Sequence, residues 1–273
     1  MNVHNRLLLT GAAGGLGTAL RQRLKANCTV LRLSDRLELG PAQPGEELAL
    51  ADLADADAVD AAVADCQAIV HMGGISVEGP FAPILQANIV GVYNLYESAR
   101  KHGVKRIILA SSNHVTGFYR QSQTITPNDP PRPDSIYGVS KAFAEDLSRM
   151  YFDRYGIETA CLRIGSTFPE PRDRRMLASW LSYDDLHRLI TASLTTPVLG
   201  HTIIFGMSNN CVTWWDNHSA RHIGYVPQDS SDPFRAAVFA RTPEPDLSDP
   251  TAQFQGGTFL LAGIPMTAHT GKK

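Results

Sequence analysis

Residues 10–17 read Thr-Gly-Ala-Ala-Gly-Gly-Leu-Gly and stand between two runs of different pattern. The apolar run from Arg6 to Thr10 is typical of a buried β-strand, and the stretch from Leu16 to Lys25 is typical of an amphipathic helix. Glycine suits the turn between them, because a Cβ atom would keep phosphate groups away from the backbone. The turn therefore predicts a site where a dinucleotide pyrophosphate meets the positive end of a helix dipole.

The glycines follow the spacing Gly-x-x-Gly-x-x-Gly, and taken alone this spacing fits a purely structural turn equally well. The residues expected to contact the pyrophosphate are Gly11, Gly14, Gly15, Leu16 and Gly17. Asp35 strengthens the prediction, since it ends the next strand-like run about 18 positions after Gly17, close to where a carboxylate accepts hydrogen bonds from an adenosine ribose. That carboxylate would repel a 2′-phosphate, so NAD is the expected cofactor, while the neighbouring Arg36 leaves tolerance of NADP open.

Two further strand ends offer residues to the same cofactor. Asp52 and Leu53 follow the third strand-like run and could lie against the adenine, and the fourth run is followed by the small edge Met72-Gly73-Gly74. A helix cap or a plain turn is the alternative interpretation of each.

Outward from this turn, strand-like and helical runs alternate up to the run Glu158–Ile164 and the helix predicted to start after Ser182. Such alternation indicates parallel strands joined by right-handed crossovers. We therefore predict an α/β fold, a doubly wound parallel Rossmann-type sheet with a small C-terminal substrate-binding cap. The NAD-binding domain is placed at residues 1–165, and residues 166–273 form the substrate-binding region, which is interwoven with the first and not independent. After Thr195 the alternation decays.

Composition limits the classes of partner. The 273 residues contain 25 Lys and Arg against 27 Asp and Glu, a net charge of −2, so no field of one sign favours nucleic acid or a membrane surface. The four cysteines are scattered singly, and although His218 and His222 are one helical turn apart, no acidic or cysteine partner lies at ligand spacing to them. No apolar stretch approaches the roughly 18 residues of a membrane span. We expect a cytoplasmic protein with a small-molecule substrate, no metal, no nucleic-acid partner and no membrane.

A candidate base lies in the helix predicted from Ser135 to Tyr155. Tyr137 and Lys141 are one turn apart and share a face, and a cation near a phenol favours the phenolate and lowers the pKa. Such a pair also occurs by chance in many helices. Ser112, at the end of another predicted strand, adds a hydroxyl suited to a substrate pocket.

Together the glycine turn, Ser112 and the Tyr137-x-x-x-Lys141 pair make the chain similar to the extended short-chain dehydrogenase/reductase family. The resemblance covers about residues 6–215. It implies that Tyr137 is the general acid/base, that Lys141 lowers its pKa and holds the nicotinamide ribose, and that Ser112 holds the reacting oxygen. It also assigns Asn88 and Ile164 to the cofactor, although Asn88 fits a buried structural amide as well.

Further segments resemble the compact members of this family, which oxidise free hexuronic acids, glucuronate or galacturonate, at the anomeric carbon with NAD. These segments are 73–78, 111–114, 163–166, 175–177, 214–217 and 254–259. The resemblance implies that Arg175 grips the substrate carboxylate, a role for which a guanidinium is suited, with Arg172 and Arg174 as competing choices. It implies that ring hydroxyls are bound by Ser76, Asn113, His114 and Ser166, and that Phe259 closes the pocket.

Several alternatives stay open from the sequence. An epimerase or reductase acting on another sugar or a nucleotide sugar would use the same cofactor and tyrosine, and a non-catalytic dinucleotide sensor is a more distant alternative. His114 could be a structural histidine. The pair Trp214-Trp215 could lie in the core or at a subunit contact. The family resemblance implies a homo-oligomer.

Overall fold

Seven parallel strands form a single sheet in the computed structural model, which describes residues 4–262. The strands are β1 (His4–Thr10), β2 (Cys28–Asp35), β3 (Glu46–Leu50), β4 (Ala68–His71), β5 (Arg106–Ser112), β6 (Glu158–Ile164) and β7 (His201–Gly206). Their order across the sheet is β3-β2-β1-β4-β5-β6-β7. This confirms the predicted doubly wound parallel sheet.

Helices cover both faces of the sheet. They are α1 (Gly15–Arg23), α2 (Ala56–Val63), α3 (Phe81–Ile84), α4 (Gly91–Lys101), α5 (Ile136–Tyr155), α6 (Met176–Ser179), α7 (Tyr183–Thr195), α8 (Arg235–Arg241) and α9 (Pro250–Gln253). Side chains of α1 and α7 pack in the apolar layer on one face, and those of α2, α4 and α5 in the layer on the other. Because both faces are covered, β1 carries three consecutive leucines that are fully buried, Leu7, Leu8 and Leu9.

The sequence pattern did not indicate β7. This strand pairs with β6 from Thr159–His201 to Ile164–Gly206, so the sheet crosses the predicted boundary at residue 165. Helix α7, which precedes it, does begin as predicted, since the Ser182 hydroxyl accepts from the Asp185 backbone N–H at 2.9 Å.

The long loop of residues 117–134 packs against the C-terminal segment. Backbone hydrogen bonds run from Gln255 N to Tyr119 O at 2.8 Å and from Gly256 N to Gly117 O at 2.9 Å. The Trp214-Trp215 pair is buried beside this contact, and Trp215 stacks on Phe205 with ring centres 4.9 Å apart. Within residues 4–262, no helix is long and apolar enough to cross a membrane.

A buried ion pair ties β6 to α5. The Arg163 guanidinium donates to both carboxylate oxygens of Glu145, at 3.0 and 2.9 Å, and the Ser111 hydroxyl donates to the same carboxylate at 2.5 Å. The two side chains are 1% and 4% exposed. Removing one member of such a pair leaves a buried charge without its partner.

We expect Arg163→Met to lower the free energy of unfolding by about 3–5 kcal/mol. The matched control is Arg149→Met, which removes an arginine from an exposed pair with Asp153 on α5 and should cost less than about 1 kcal/mol. Urea unfolding of both variants measures the difference. Equal losses in the two variants would contradict this role for the Arg163–Glu145 pair.

Candidate active site

A cavity of about 910 Å³ opens at the carboxyl ends of β1, β4, β5 and β6. The chain goes from β1 outward to β2 and β3 and then returns to the other side of β1 at β4, and ligands of doubly wound sheets bind at such a switch point. Of the predicted site residues, those that line the cavity are Gly11, Gly14, Gly15, Leu16, Gly17, Met72, Gly73, Gly74, Ser76, Ser112, Asn113, His114, Tyr137, Lys141, Ile164, Ser166, Arg175 and Phe259.

The glycine turn forms one wall of the cavity. Gly11 has a φ of +70°, and a Cβ atom there would lie 2.6 Å from the backbone of Met72 and Gly73, so only glycine lets the β1 and β4 ends approach this closely. Nothing lies within 4 Å of the Cβ position of Gly15. Helix α1 has no acidic residue in its first turn, and its N-cap Gly14 provides no side-chain cap. The first N–H groups of α1 are therefore suited to a pyrophosphate.

The predicted adenosine contacts lie beside this turn, outside the cavity wall. The Asp35 carboxylate accepts from the backbone N–H groups of Ala13 at 3.0 Å and Leu37 at 3.1 Å, which holds it at the end of β2 next to the turn. Arg36 and Asp52 are exposed, and Leu53 is half-buried. Contact of these four side chains with a cofactor stays a prediction.

Asn88 lies in a six-residue π-helix, Leu85–Val90, between α3 and α4. Its amide oxygen accepts from the Ile75 N–H at 2.8 Å, and its nitrogen donates to the Ile75 carbonyl and the Ser140 hydroxyl, both at 2.9 Å. Both amide hydrogens are thus used, and the side chain does not line the cavity. Asn88 links the β4 loop to the helix that carries Tyr137 and Lys141, and direct contact with a cofactor stays a prediction.

Helix α5 brings the predicted tyrosine and lysine to the end of β5. Its N-cap is Ser135, whose hydroxyl accepts from the Gly138 N–H at 3.0 Å. The Lys141 ammonium donates to the Ala110 carbonyl at 2.8 Å and lies 5.8 Å from the centre of the Tyr137 ring. Ser112, the last residue of β5, lines the same cavity as Tyr137, and its hydroxyl accepts from the His114 N–H at 3.1 Å.

Burial controls the ionisation of both groups. It raises the pKa of Tyr137 to about 12. The Ser112 hydroxyl opposes this rise of the pKa, and the charge of Asp134 adds to it. It lowers the pKa of Lys141 to about 8. The lowering of the pKa of Tyr137 by Lys141, expected from the family resemblance, stays a prediction.

Arg175 faces the cavity from the segment before α6. Its Nε donates to the Gln255 carbonyl at 2.6 Å and its Nη1 to the Ser166 hydroxyl at 3.4 Å. The neighbours of Asn113 orient its amide, whose nitrogen donates to the Ile164 carbonyl at 3.0 Å and whose oxygen accepts from Arg175 Nη2 at 2.8 Å. These bonds leave one N–H on each terminal nitrogen, and no carboxylate within residues 4–262 forms an ion pair with Arg175.

The competing arginines have other contacts. Arg174 pairs with Glu244 at 2.9 Å and donates to Thr242, although it reaches the cavity rim. Arg172 is exposed and lies over the Phe168 ring at 3.8 Å. Among the three arginines, Arg175 is therefore the one that lines the cavity without an ion-pair partner in residues 4–262.

His114 and Phe259 meet opposite Tyr137. Their rings stack with centres 3.6 Å apart and an angle of 19°, and the His114 ring is 5.9 Å from that of Tyr137. Phe259 belongs to the short 3-10 helix Gly257–Leu261, so the C-terminal segment folds back over the cavity. Ser76 lines the cavity from the exposed loop after β4.

Three residues that orient side chains of this site were not indicated by the sequence. Asp134 bonds to His114 Nδ1 at 2.7 Å, the Glu78 carboxylate accepts from the Tyr137 N–H at 2.8 Å, and Gln255 holds Arg175 through its carbonyl. The position of Asp134 directly before the cap Ser135 was the one local signal, since a carboxylate there lies close to the start of the catalytic helix.

Comparison with known proteins agrees with this geometry. The model of the "NAD dependent epimerase/dehydratase family" matches residues 7–188. Uronate dehydrogenases of Pseudomonas putida and Pseudomonas syringae pv. tomato are 58% and 56% identical over 260 residues, covering 95% of this chain and 97% and 94% of theirs. A crystal structure of the Agrobacterium tumefaciens uronate dehydrogenase, a tyrosine-to-alanine variant complexed with NAD, has a TM-score of 0.92 at 53% identity, covering 94% of this chain and 97% of that one. The resemblance predicted from the motifs is confirmed.

Proposed function

This chain belongs to the NAD-dependent epimerase/dehydratase family, and from that premise we propose that it is an NAD-dependent dehydrogenase that oxidises free hexuronic acids at the anomeric carbon. The observation that carries the proposal is Arg175, a half-buried guanidinium without a carboxylate partner among the described residues, which shares one cavity with Tyr137. A partly desolvated cation of this kind favours an anionic substrate. The names of the 56–58% identical relatives support the same substrate class.

NAD is the cofactor that the cavity fits. The α1 N-terminus and the glycines of residues 11–17 would hold its pyrophosphate, and Asp35 its adenosine ribose. Lys141 would hold the nicotinamide ribose. When bound, NAD supplies the acceptor for the hydride that leaves the anomeric carbon.

The chain's own residues handle the substrate oxygen and its proton. Ser112 donates a hydrogen bond to the anomeric oxygen, and Tyr137 as phenolate removes the proton of that hydroxyl. The Lys141 ammonium stabilises the phenolate electrostatically. Loss of one hydride and one proton converts the cyclic sugar into the lactone of the aldaric acid, and no water is consumed.

The substrate contacts follow from the cavity wall. The two remaining N–H groups of Arg175, one on each terminal nitrogen, can grip a carboxylate end-on. Ser76, Asn113, His114 and Ser166 provide neutral hydrogen-bonding groups for ring hydroxyls, and Phe259 covers the ring.

An absorbance assay for NADH with a panel of sugars tests the function. We expect glucuronate and galacturonate to give NADH, and neutral aldoses and nucleotide sugars to give at least tenfold less. Nucleotide-sugar turnover without net NADH would instead support an epimerase. Turnover of neutral aldoses alone would remove the role of Arg175.

We propose further that the chain works in the cytoplasm as a homo-oligomer. The free, buried thiols of Cys28, Cys66 and Cys161 suit a reducing compartment, and the exposed side chains of Tyr93 on α4 and Met150 on α5 offer apolar surface for self-association. Light scattering gives the copy number. In function, residues 1–165 hold the cofactor and part of the substrate, and residues 166–273 add the substrate contacts Ser166, Arg175 and Phe259 to the same cavity.

A further inference from the structure

A buried carboxylate stands behind His114. Asp134 Oδ2 lies 2.7 Å from His114 Nδ1, and the Asp134 side chain is 0% exposed. Because a carboxylate accepts and does not donate, Nδ1 carries the hydrogen of this bond. In the neutral ring, Nε2 is then the acceptor nitrogen.

The burial of the ring favours its neutral form. Burial lowers the pKa of His114, as does the charge of Arg175, while Asp134 and Glu78 act in the opposite direction. The charged and titratable groups that face His114 are therefore Asp134, Arg175, Glu78 and the Tyr137 phenol. An imidazolium would lack an acceptor, so only the neutral ring can accept a hydrogen bond.

The same carboxylate touches the other parts of the site. Its Oδ1 accepts from the hydroxyl of Ser135, the N-cap of the helix that carries Tyr137, at 2.8 Å. Gly117 and Gly256 lie so close to the carboxylate that a Cβ atom on either would collide with it. The chain after Gly256 continues to Phe259, which stacks on His114.

We propose that Asp134 is a positioning residue that makes His114 a hydrogen-bond acceptor for one ring hydroxyl of the substrate. This inference rests on the proposed oxidation of hexuronates. The Asp134 carboxylate fixes the tautomer of His114 with its hydrogen on Nδ1. The Nε2 atom then accepts from a substrate hydroxyl, and a substrate in which that hydroxyl is missing or points elsewhere binds less well. Asp134 itself does not touch the substrate.

Asp134→Asn tests the role of the charge, because an amide can donate to Nδ1 and thereby place the hydrogen on Nε2. We expect KM for the hexuronate to rise about 10- to 100-fold, as for a lost buried hydrogen bond, with a smaller change in kcat and no change in KM for NAD. Asp129→Asn is the matched control in the same loop, since its carboxylate serves Thr126. An unchanged KM in Asp134→Asn overturns the proposal.

A readout without activity separates this proposal from the proposed function. Nitrogen NMR of the cofactor-free protein should show His114 protonated on Nδ1 in the wild type and on Nε2 in Asp134→Asn. Protonation on Nε2 in the wild type overturns the proposal even if hexuronates are oxidised. Conversely, the absence of NADH from every hexuronate refutes the function while the tautomer is still measured.

A second variant serves if Asp134→Asn fails to fold. His114→Phe keeps an aromatic ring against Phe259 and removes the acceptor, so KM should rise by the same factor. Hexuronates that each lack one hydroxyl identify the hydroxyl that donates to His114. For one of these analogues, KM should be higher than for the parent hexuronate in the wild type but equal to it in His114→Phe. If every analogue has the same effect in both proteins, His114 accepts no substrate hydroxyl.

Discussion

Tyr137→Phe is expected to lower kcat for hexuronate oxidation about 10²- to 10⁴-fold, the usual contribution of a positioned general base. KM for both substrates should stay near the wild-type value, because phenylalanine fills the same buried space beside His114 and Lys141. Steady-state NADH formation measures the effect. A rate within tenfold of the wild type would show that another group takes the proton.

The control for this variant is Tyr96→Phe, which removes a hydroxyl from another buried tyrosine. Tyr96 is 0% exposed and bonds to Thr159 Oγ1 at 3.0 Å, away from the cavity. We expect a stability loss of about 1 kcal/mol and an unchanged kcat. The contrast separates the chemistry of the phenol from the packing of a tyrosine ring.

The ionisation of Tyr137 and Lys141 also predicts the pH dependence. Burial lowers the pKa of Lys141 to about 8 and raises that of Tyr137 to about 12. The phenol and the ammonium together lose their first proton near pH 8. The pair that remains is an equilibrium between the phenol–amine and the phenolate–ammonium forms, which hold the same number of protons. The reaction needs the phenolate form, and kcat/KM should therefore rise with pH up to this value. In Lys141→Met the rise should move to more alkaline pH, because Tyr137 then titrates alone.

The sheet and the cofactor side of the site could be predicted because their signals are local. A glycine turn, strand-like runs and a tyrosine four positions before a lysine each occupy a short stretch, and each was found within a few residues of its predicted place. The exception is β7, whose sequence His-Thr-Ile-Ile-Phe-Gly begins with polar residues after a Pro- and Gly-containing segment. Residues 202–205 are of types that favour strands, but their place beside β6 depends on a long-range contact.

The substrate side depends on contacts between distant segments. Arg175 is held by Gln255, 80 positions away, and His114 by Asp134, 20 positions away. The residue types indicated a carboxylate-binding arginine and a hydroxyl-binding histidine, but not which groups orient them. Asn88 matched the family's asparagine by its position, but its hydrogen bonds go to the Ile75 backbone and the Ser140 hydroxyl, which the sequence did not indicate.

Arg175→Leu is expected to lower kcat/KM for hexuronates about 10²- to 10³-fold, because it leaves the substrate carboxylate without its partner in a desolvated site. Activity on neutral aldoses should change less than tenfold, so the preference for the acid falls. Arg175→Lys should recover only part of the loss, since an ammonium cannot form two parallel bonds. The assay compares kcat/KM for glucuronate and glucose in each variant.

The neighbouring arginines supply the matched controls. Arg172→Leu removes an exposed guanidinium that stacks on Phe168, and Arg174→Leu removes one that is already paired with Glu244. Neither should change kcat/KM for hexuronates more than about threefold, as expected for exposed or already paired charges. If Arg174→Leu lost the preference for acids and Arg175→Leu kept it, the carboxylate would bind at the cavity rim. The carboxylate contact assigned to Arg175 would then be wrong.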